Sequence, residues 1–350
     1  MGRGVQGLSG LNLRGSADSP SCIGDSANTQ QPVDTMHTYG ILSSSAGGKV
    51  LPYAECTILE FQERFHTEED CVKRLKTVKW PEGFVCPRCN GQSCYQLRDR
   101  REVECANCRH QTSVTAGTMF HQTHTPLKKW FWAIFLVSQD KGGLSALRLS
   151  KLVKVSFPTA WLMLQKIRKA MGERDERYQL AGYIEMDQGF FGKAATAKKP
   201  DKADNQSEVL VMIESKGERA GFVSMEVIAS ASRDNMRPII ERKVKPVQSF
   251  RSDGKQANYV LKSMGHQLTA SPVPPEKICV ELPWVHTAIA LAKRFLLGTY
   301  HGVSSKHLQS YLDEFCFRFN RRFMEPQLFS RLLTACVCSD PFTYAAIINA

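Results

Sequence analysis

Four cysteines, Cys86-Pro-Arg-Cys89 and Cys105-Ala-Asn-Cys108, are the residues of this chain whose types and spacing point most sharply to chemistry. Each pair sits on a tight knuckle that aims two thiolates at one point. The fifteen-residue spacer is long enough for a short hairpin that returns the second pair to the first. Four thiolates close a tetrahedral zinc site and leave no open coordination position, so the spacing predicts a structural Zn2+ and not a catalytic one. A second candidate set is acidic. Asp187 and Asp253 each follow a short β-forming run. Carboxylates at the ends of neighbouring strands can hold Mg2+ or Mn2+ through hard oxygen ligands while the ion keeps places for water and phosphate. Taken singly, each aspartate is equally a turn or cap residue, and Asp253-Gly254 is an ordinary turn signal.

These groups need elements to carry them. Residues 1–54 are poor in apolar side chains and rich in Ser and Gly, which predicts a disordered extension, with Met36 as an alternative start. Within 55–79, Thr57–Phe65 and Thr67–Leu75 read as short amphipathic helices, and Thr67 with Asp70 as an N-terminal cap. The zinc ribbon is expected over 80–116, with 95–97 and 102–104 as strands. A helical block over 117–176 follows: one helix from Pro126 to Ser138, then 144–153 and 158–171 joined by Lys154-Val-Ser-Phe. That last pair is helix-turn-helix-like. Its second helix carries Lys166, Arg168 and Lys169, either to meet DNA phosphates and base edges or as the solvated face of an ordinary helical hairpin.

From residue 177 the pattern becomes α/β. Strands are expected at 182–191 (ending near Asp187), 209–213, 222–228 and 249–253, with a helix over 233–243 before the last. Helices at 284–297 and 305–322 complete a domain spanning 177–335, and 336–350 forms a tail. The basic stretch 193–206, with Lys193, Lys198, Lys199 and Lys202, suits a loop over DNA.

Composition agrees. Lys and Arg outnumber Asp and Glu by 46 to 34, a net charge of +12 that favours a polyanionic partner. Of the twelve cysteines, eight are scattered outside the zinc frame, which points to a reducing compartment. No phosphate-cradling loop appears, no secretory apolar core lies in residues 1–30, and no apolar run is long enough for a bilayer. A soluble cytoplasmic protein that works without ATP and without a membrane is expected.

The order of zinc ribbon, helix-turn-helix-like pair and Glu185-Met-Asp187-Gln-Gly-Phe-Phe-Gly192 resembles the IS1595-type insertion-sequence transposases. So do Ser252-Asp-Gly254, Leu282-Pro-Trp-Val-His286, the run 293–304 and the run 306–322, and the resemblance covers roughly residues 57–335. It implies an RNase H-like catalytic domain with an acidic triad, divalent-metal DNA cleavage and strand transfer, and action in the bacterial nucleoid. Partners implied are double-stranded DNA, as element terminal repeats and target, and further copies of the chain in a synaptic complex. Carried over by position, Asp187 and Asp253 match the first two catalytic aspartates, and Lys293, beside Arg294, matches a lysine that contacts DNA phosphate. At the third acidic position relatives carry Glu, or in some branches Asn or His. Here His286 stands seven residues before Lys293, on the same helical face. Glu281 is a fallback ligand, and Gln188 replaces an acidic residue common after the first aspartate. Besides an active transposase, two alternatives fit these departures: a decayed copy that only binds DNA, and a zinc-ribbon transcription regulator.

Overall fold

The computed structural model describes residues 57–97, 102–192, 206–271 and 278–349. The extension 1–54 and the basic stretch at 193–205 therefore lie outside the described residues. The chain opens with α1 (Ile58–Arg64) and α2 (Glu68–Lys79). Both start on complete capping boxes, Thr57 with Glu60 and Thr67 with Asp70, so an aspartate serves where Glu or Gln is usual.

The ribbon is a three-stranded antiparallel sheet of β1 (Cys94–Gln96), β2 (Glu102–Cys105) and β3 (Gln111–Ser113). Three helices follow: α3 (Leu127–Gln139), α4 (Ala146–Val153) and α5 (Phe157–Asp175). Between α4 and α5, Lys154 takes a left-handed conformation at φ 50° and Ser156 caps α5 through the Thr159 amide.

The second half is a mixed sheet. Strands β4 (Tyr183–Phe191), β5 (Ser207–Ser215) and β6 (Ala220–Ile228) form an antiparallel meander. After α6 (Arg233–Lys243), β7 (Ser249–Asp253) joins β4 in parallel. A 3-10 turn (Gln256–Tyr259) and α7 (Val260–Ser263) then lead to β8 (Gln267–Ser271), parallel to β7 and not anticipated from the sequence. The order β6-β5-β4-β7-β8, with three antiparallel strands and two parallel crossovers, is the RNase H-like arrangement. The remaining helices are α8 (Ile278–Glu281), α9 (Pro283–Tyr300), α10 (Leu308–Asn320), α11 (Leu328–Cys338) and α12 (Tyr344–Asn349).

Side-chain alternation assigns the faces. Ile184, Met186, Leu210, Met212 and Phe250 pack with α6 and α7, whereas Phe191, Val209, Val211, Ile213 and Val223 pack with α9 and α10. Asp187 and Asp253 share the parity of the second set or its continuation on β7, so both project on the α9 side. Helix α10 also closes the sheet edge: Gln309 accepts from the Val227 amide and Asn320 from the Val223 amide, both on edge strand β6.

The helical core crosses the boundaries expected from the sequence. Its cluster contains Phe61, Leu75, Phe131, Leu149 and Ile167, and also Phe317, Leu332, Leu333 and Cys336. Helix α11, read from the sequence as the end of the α/β domain, thus completes the N-terminal block. The segment read as a tail is tied in as well, with the Met119 amide donating to the Cys336 carbonyl at 3.3 Å.

Candidate active site

Asp187 lies within β4, which runs four residues beyond it and does not end there as expected. The pairing explains why it behaves as a strand-end group. On the β7 side the ladder stops at Met186 opposite Ser252, so Asp187 and Asp253 emerge together where β4 loses its parallel neighbour. Asp253 is the last residue of β7. On the other side β4 stays paired to β5 as far as Phe191, which holds Asp187 rigidly.

Helix α9 brings the third group. It begins with Pro283 and has no cap from its own chain start; instead Glu185 of β4 accepts from the Trp284 and Val285 amides at 2.8 and 3.0 Å. A carboxylate at a helix N-terminus satisfies orphan donors and faces the positive end of the dipole. Burial raises the Glu185 carboxyl above its ordinary value, against the opposing pull of the two amides. Past Asp187, Gly189 packs under the helix: a Cβ there would sit 3.2 Å from the Phe191 ring and 3.4 Å from Ile289.

The result is that His286 Nε2 lies 3.6 Å from Asp187 Oδ2, beyond hydrogen-bond range, and has no hydrogen-bond partner among the described residues. Lys293 follows on the exposed side of α9 with its Nζ 5.6 Å from the Phe191 ring centre, and Arg294 is exposed beside it. Glu281 points its carboxylate at Arg251, 3.8 Å away, and its carbonyl accepts from the same guanidinium. It is thereby engaged away from the aspartates.

Two residues with no sequence signal complete the cluster. Lys255 Nζ lies 2.9 Å from Asp253 Oδ2 and 3.4 Å from Asp187 Oδ1, and donates to Gln188 Oε1 at 2.8 Å. Burial works against its charge, but the bond to Asp253 and the two carboxylates prevail and raise its pKa. Asn258, fully buried, donates to Asp253 Oδ1 at 2.6 Å and accepts from Gln188 Nε2 at 2.9 Å. Only the proximity of Lys255 to Asp253 in the chain hints at its place; Asn258 enters through the 3-10 turn.

Two hard carboxylates beside a lodged ammonium, with a His286 Nε2 that has no partner among the described residues, are a donor set that accommodates a cation. Still, they are not drawn together. Among the described residues, the four cysteines are the one group of three or more His, Cys, Asp or Glu side chains whose ligand atoms all lie within 4.8 Å of one another.

In that group Cys86 and Cys108 sulfurs are 3.6 Å apart, as are those of Cys89 and Cys105. A tetrahedron of ~2.3 Å zinc–sulfur bonds has edges of ~3.8 Å, so the cluster fits zinc. The two knuckles are built alike, with Asn90 and Arg109 after the second cysteine of each pair at φ 57° and 55°. The Cys108 amide, with that of Asn107, draws the Cys105 thiol down to about 7.

The basic residues of α5 differ from expectation. Arg168 is buried and donates to Glu314 at 2.8 Å, with its guanidinium 3.9 Å from the Tyr311 ring centre. Lys166 donates to the Met119 carbonyl at 3.2 Å, and Lys169 pairs with Glu173. Helix α5 lies at the centre of the helical core and turns Arg168 to α10, where its guanidinium is buried and taken up by Glu314, while Lys166 and Lys169 remain half-buried. Arg318, Arg321 and Arg322 are also engaged internally, with Glu314, with Asp175, and with the Ala220 and Gly221 carbonyls. Among the described residues no helix is long and apolar enough to cross a membrane.

Residues 179–320 match the family described as the ISXO2-like transposase domain, and residues 66–111 the transposase zinc-ribbon domain. An uncharacterized protein in transposable element ISH50 of Halobacterium salinarum is 26% identical over 133 residues, 37% of this chain and 44% of that protein. The chain thus matches less than half the length of that relative. Among solved structures, the catalytic core of BIV integrase is similar at 16% identity over 41% of this chain and 86% of that one, TM-score 0.28. The Mos1 strand transfer complex is similar at 13% identity over 63% and 82%, TM-score 0.29.

Proposed function

For a chain that carries the zinc ribbon and the ISXO2-like catalytic domain of IS1595-type transposases, we propose DNA cleavage and strand transfer at the terminal repeats of an insertion sequence. The observation that carries this reading is the emergence of Asp187 and Asp253 side by side on the α9 face, with His286 Nε2 turned toward Asp187. Asp187 and Asp253, with His286, are the residues to hold Mg2+ or Mn2+, which when bound would supply charge stabilisation and a more acidic attacking water.

The chain's own groups do the rest. Asp187, clamped by β5, and Asp253, oriented by Asn258, set the reacting phosphate in register. Lys293 and Arg294, exposed on α9 beyond His286, grip the adjoining backbone. Water attack frees a 3′-hydroxyl at the element end. That hydroxyl then attacks a target phosphodiester, displacing the target's own 3′-oxygen, so one ester bond forms as another breaks without ATP. The ribbon, with its structural Zn2+, and the α4–α5 pair hold the repeats. Here Leu147, Leu152 and Phe157 are exposed, and Lys154 stands at the turn. Two ends must be joined, which calls for at least two copies of the chain on DNA in the cytoplasm.

A second reading, a decayed copy that binds ends without cutting, is favoured by the engagement of Glu281 with Arg251 and by the ammonium between the aspartates. Labelled DNA bearing the repeats that flank the gene, incubated with the zinc-loaded protein and Mn2+ or Mg2+, separates the two. New 3′-hydroxyl ends that disappear in Asp187→Ala and Asp253→Ala support the transposase. End binding with no cleavage under either ion establishes the decayed copy.

A further inference from the structure

We propose that Lys255 is a tethered cation seated between Asp187 and Asp253, and that a divalent ion must displace it to bind there. This rests on the reading of the two aspartates as metal ligands. The seat matches an ammonium donor by donor. Three N–H groups meet three acceptors: Gln188 Oε1 at 2.8 Å, Asp253 Oδ2 at 2.9 Å and Asp187 Oδ1 at 3.4 Å.

The orientation of the amide acceptor follows from the carboxylate. An ionised Asp253 only accepts, so it takes the Asn258 Nδ2 donor, at 2.6 Å. Asn258 then turns its Oδ1 to Gln188 Nε2, at 2.9 Å, which leaves Gln188 Oε1 facing Lys255. Gln188 and Asn258 are both buried, so the frame is rigid.

The lysine side chain is about half exposed (49%) and hangs from flexible methylenes, so it is the part free to move. Two carboxylates and one ammonium leave a single negative charge, enough for a monovalent occupant and poor for a divalent one. Distance makes the exclusion direct. Mg2+ holds its oxygens at about 2.0–2.1 Å, so the aspartates must close on a point that the ammonium now keeps them from. Lys255 is accordingly a positioning residue that sets the threshold for metal entry.

Direct Mn2+ binding to the full, zinc-loaded chain tests this without reference to cleavage, by the paramagnetic resonance signal of free Mn2+. Lys255→Met should bind Mn2+ roughly tenfold more tightly or better, as expected for removal of a unit charge a few ångströms away. The gain should vanish in Lys255→Met combined with Asp187→Ala. Gln188→Met, which leaves every charge in place and removes one acceptor, should tighten binding several-fold and serves if Lys255→Met does not fold. Affinities equal to that of the unmodified chain, with binding still lost in Asp187→Ala, would overturn the role of Lys255 and keep the aspartates as ligands. Binding indifferent to Asp187→Ala in every variant would instead remove the metal reading itself, and this proposal with it.

Discussion

The cysteine cluster and the aspartate cluster are both candidate metal centres, and they are assembled in opposite ways. Cys86, Cys89, Cys105 and Cys108 sit on two similar knuckles of one small sheet, and their sulfurs already lie within 4.8 Å of one another, two pairs at 3.6 Å. Asp187, Asp253 and His286 come from two strands and a helix, aligned by β4–β7 register and by the Glu185 clamp on α9. The first is closed by local turns and has four ligands of one kind. The second depends on the whole domain, and an internal ammonium shares it. A local site can be complete as soon as its turns form, whereas a dispersed site inherits every charge the fold brings near.

The largest expected break in this comparison is Cys105→Ser. Structural zinc contributes about 10–16 kcal/mol in small zinc domains, so the ribbon should lose its metal and unfold. Mass spectrometry should show the zinc gone, and limited proteolysis should cut within 80–116 while the RNase H-like half keeps its unfolding transition. Retained zinc would show that the cluster is not closed by four thiolates.

Next in size is Arg168→Ala, which takes one of two guanidinium partners from buried Glu314 and leaves it Arg318; it should cost about 3 kcal/mol in urea unfolding. The salt dependence of DNA binding should not change. A flatter salt slope with unaltered stability would return Arg168 to the DNA. Glu185→Ala should cost about 1–3 kcal/mol, since two helix-start amides lose their acceptor, and should weaken Mn2+ binding by freeing His286. An unchanged Mn2+ affinity would detach the clamp from the site.

A further effect is one of pH. Asp313, packed against Gly172 of α5, is pushed by burial from an ordinary 3.8 up to about 7, with Gln309 opposing and Glu226 adding to the rise. Its folded carboxyl holds the proton more tightly than the unfolded one. The stabilising contribution is therefore complete below pH 3.8 and lost as pH rises to 7. Asp313→Asn should flatten the fall in stability over that window, measured by urea midpoints. An unchanged slope would place the proton elsewhere.

Much of this was legible in advance where short-range rules govern. Capping at Thr67, the helix after Pro126 and the meander followed by a helix and a further strand all follow from local propensity and alternation. Less visible were β8, a short strand formed after a turn, and α11, whose apolar face fits either core equally well as a pattern. The α5 lysines and arginine looked solvent-facing because basic residues usually are; that α10 would present Glu314 to Arg168 depends on a contact 146 residues away.

By itself the sequence determined the four-cysteine frame, the order of its modules and the two aspartates, because spacing and period are properties of the chain. Only the tertiary structure decided that α11 completes the N-terminal core, that Arg168 is spent inside it, and that Lys255 lies between the aspartates. Those outcomes turn on which side chains share a buried space, and burial converts a nearby charge from a screened surface group into a dominant one.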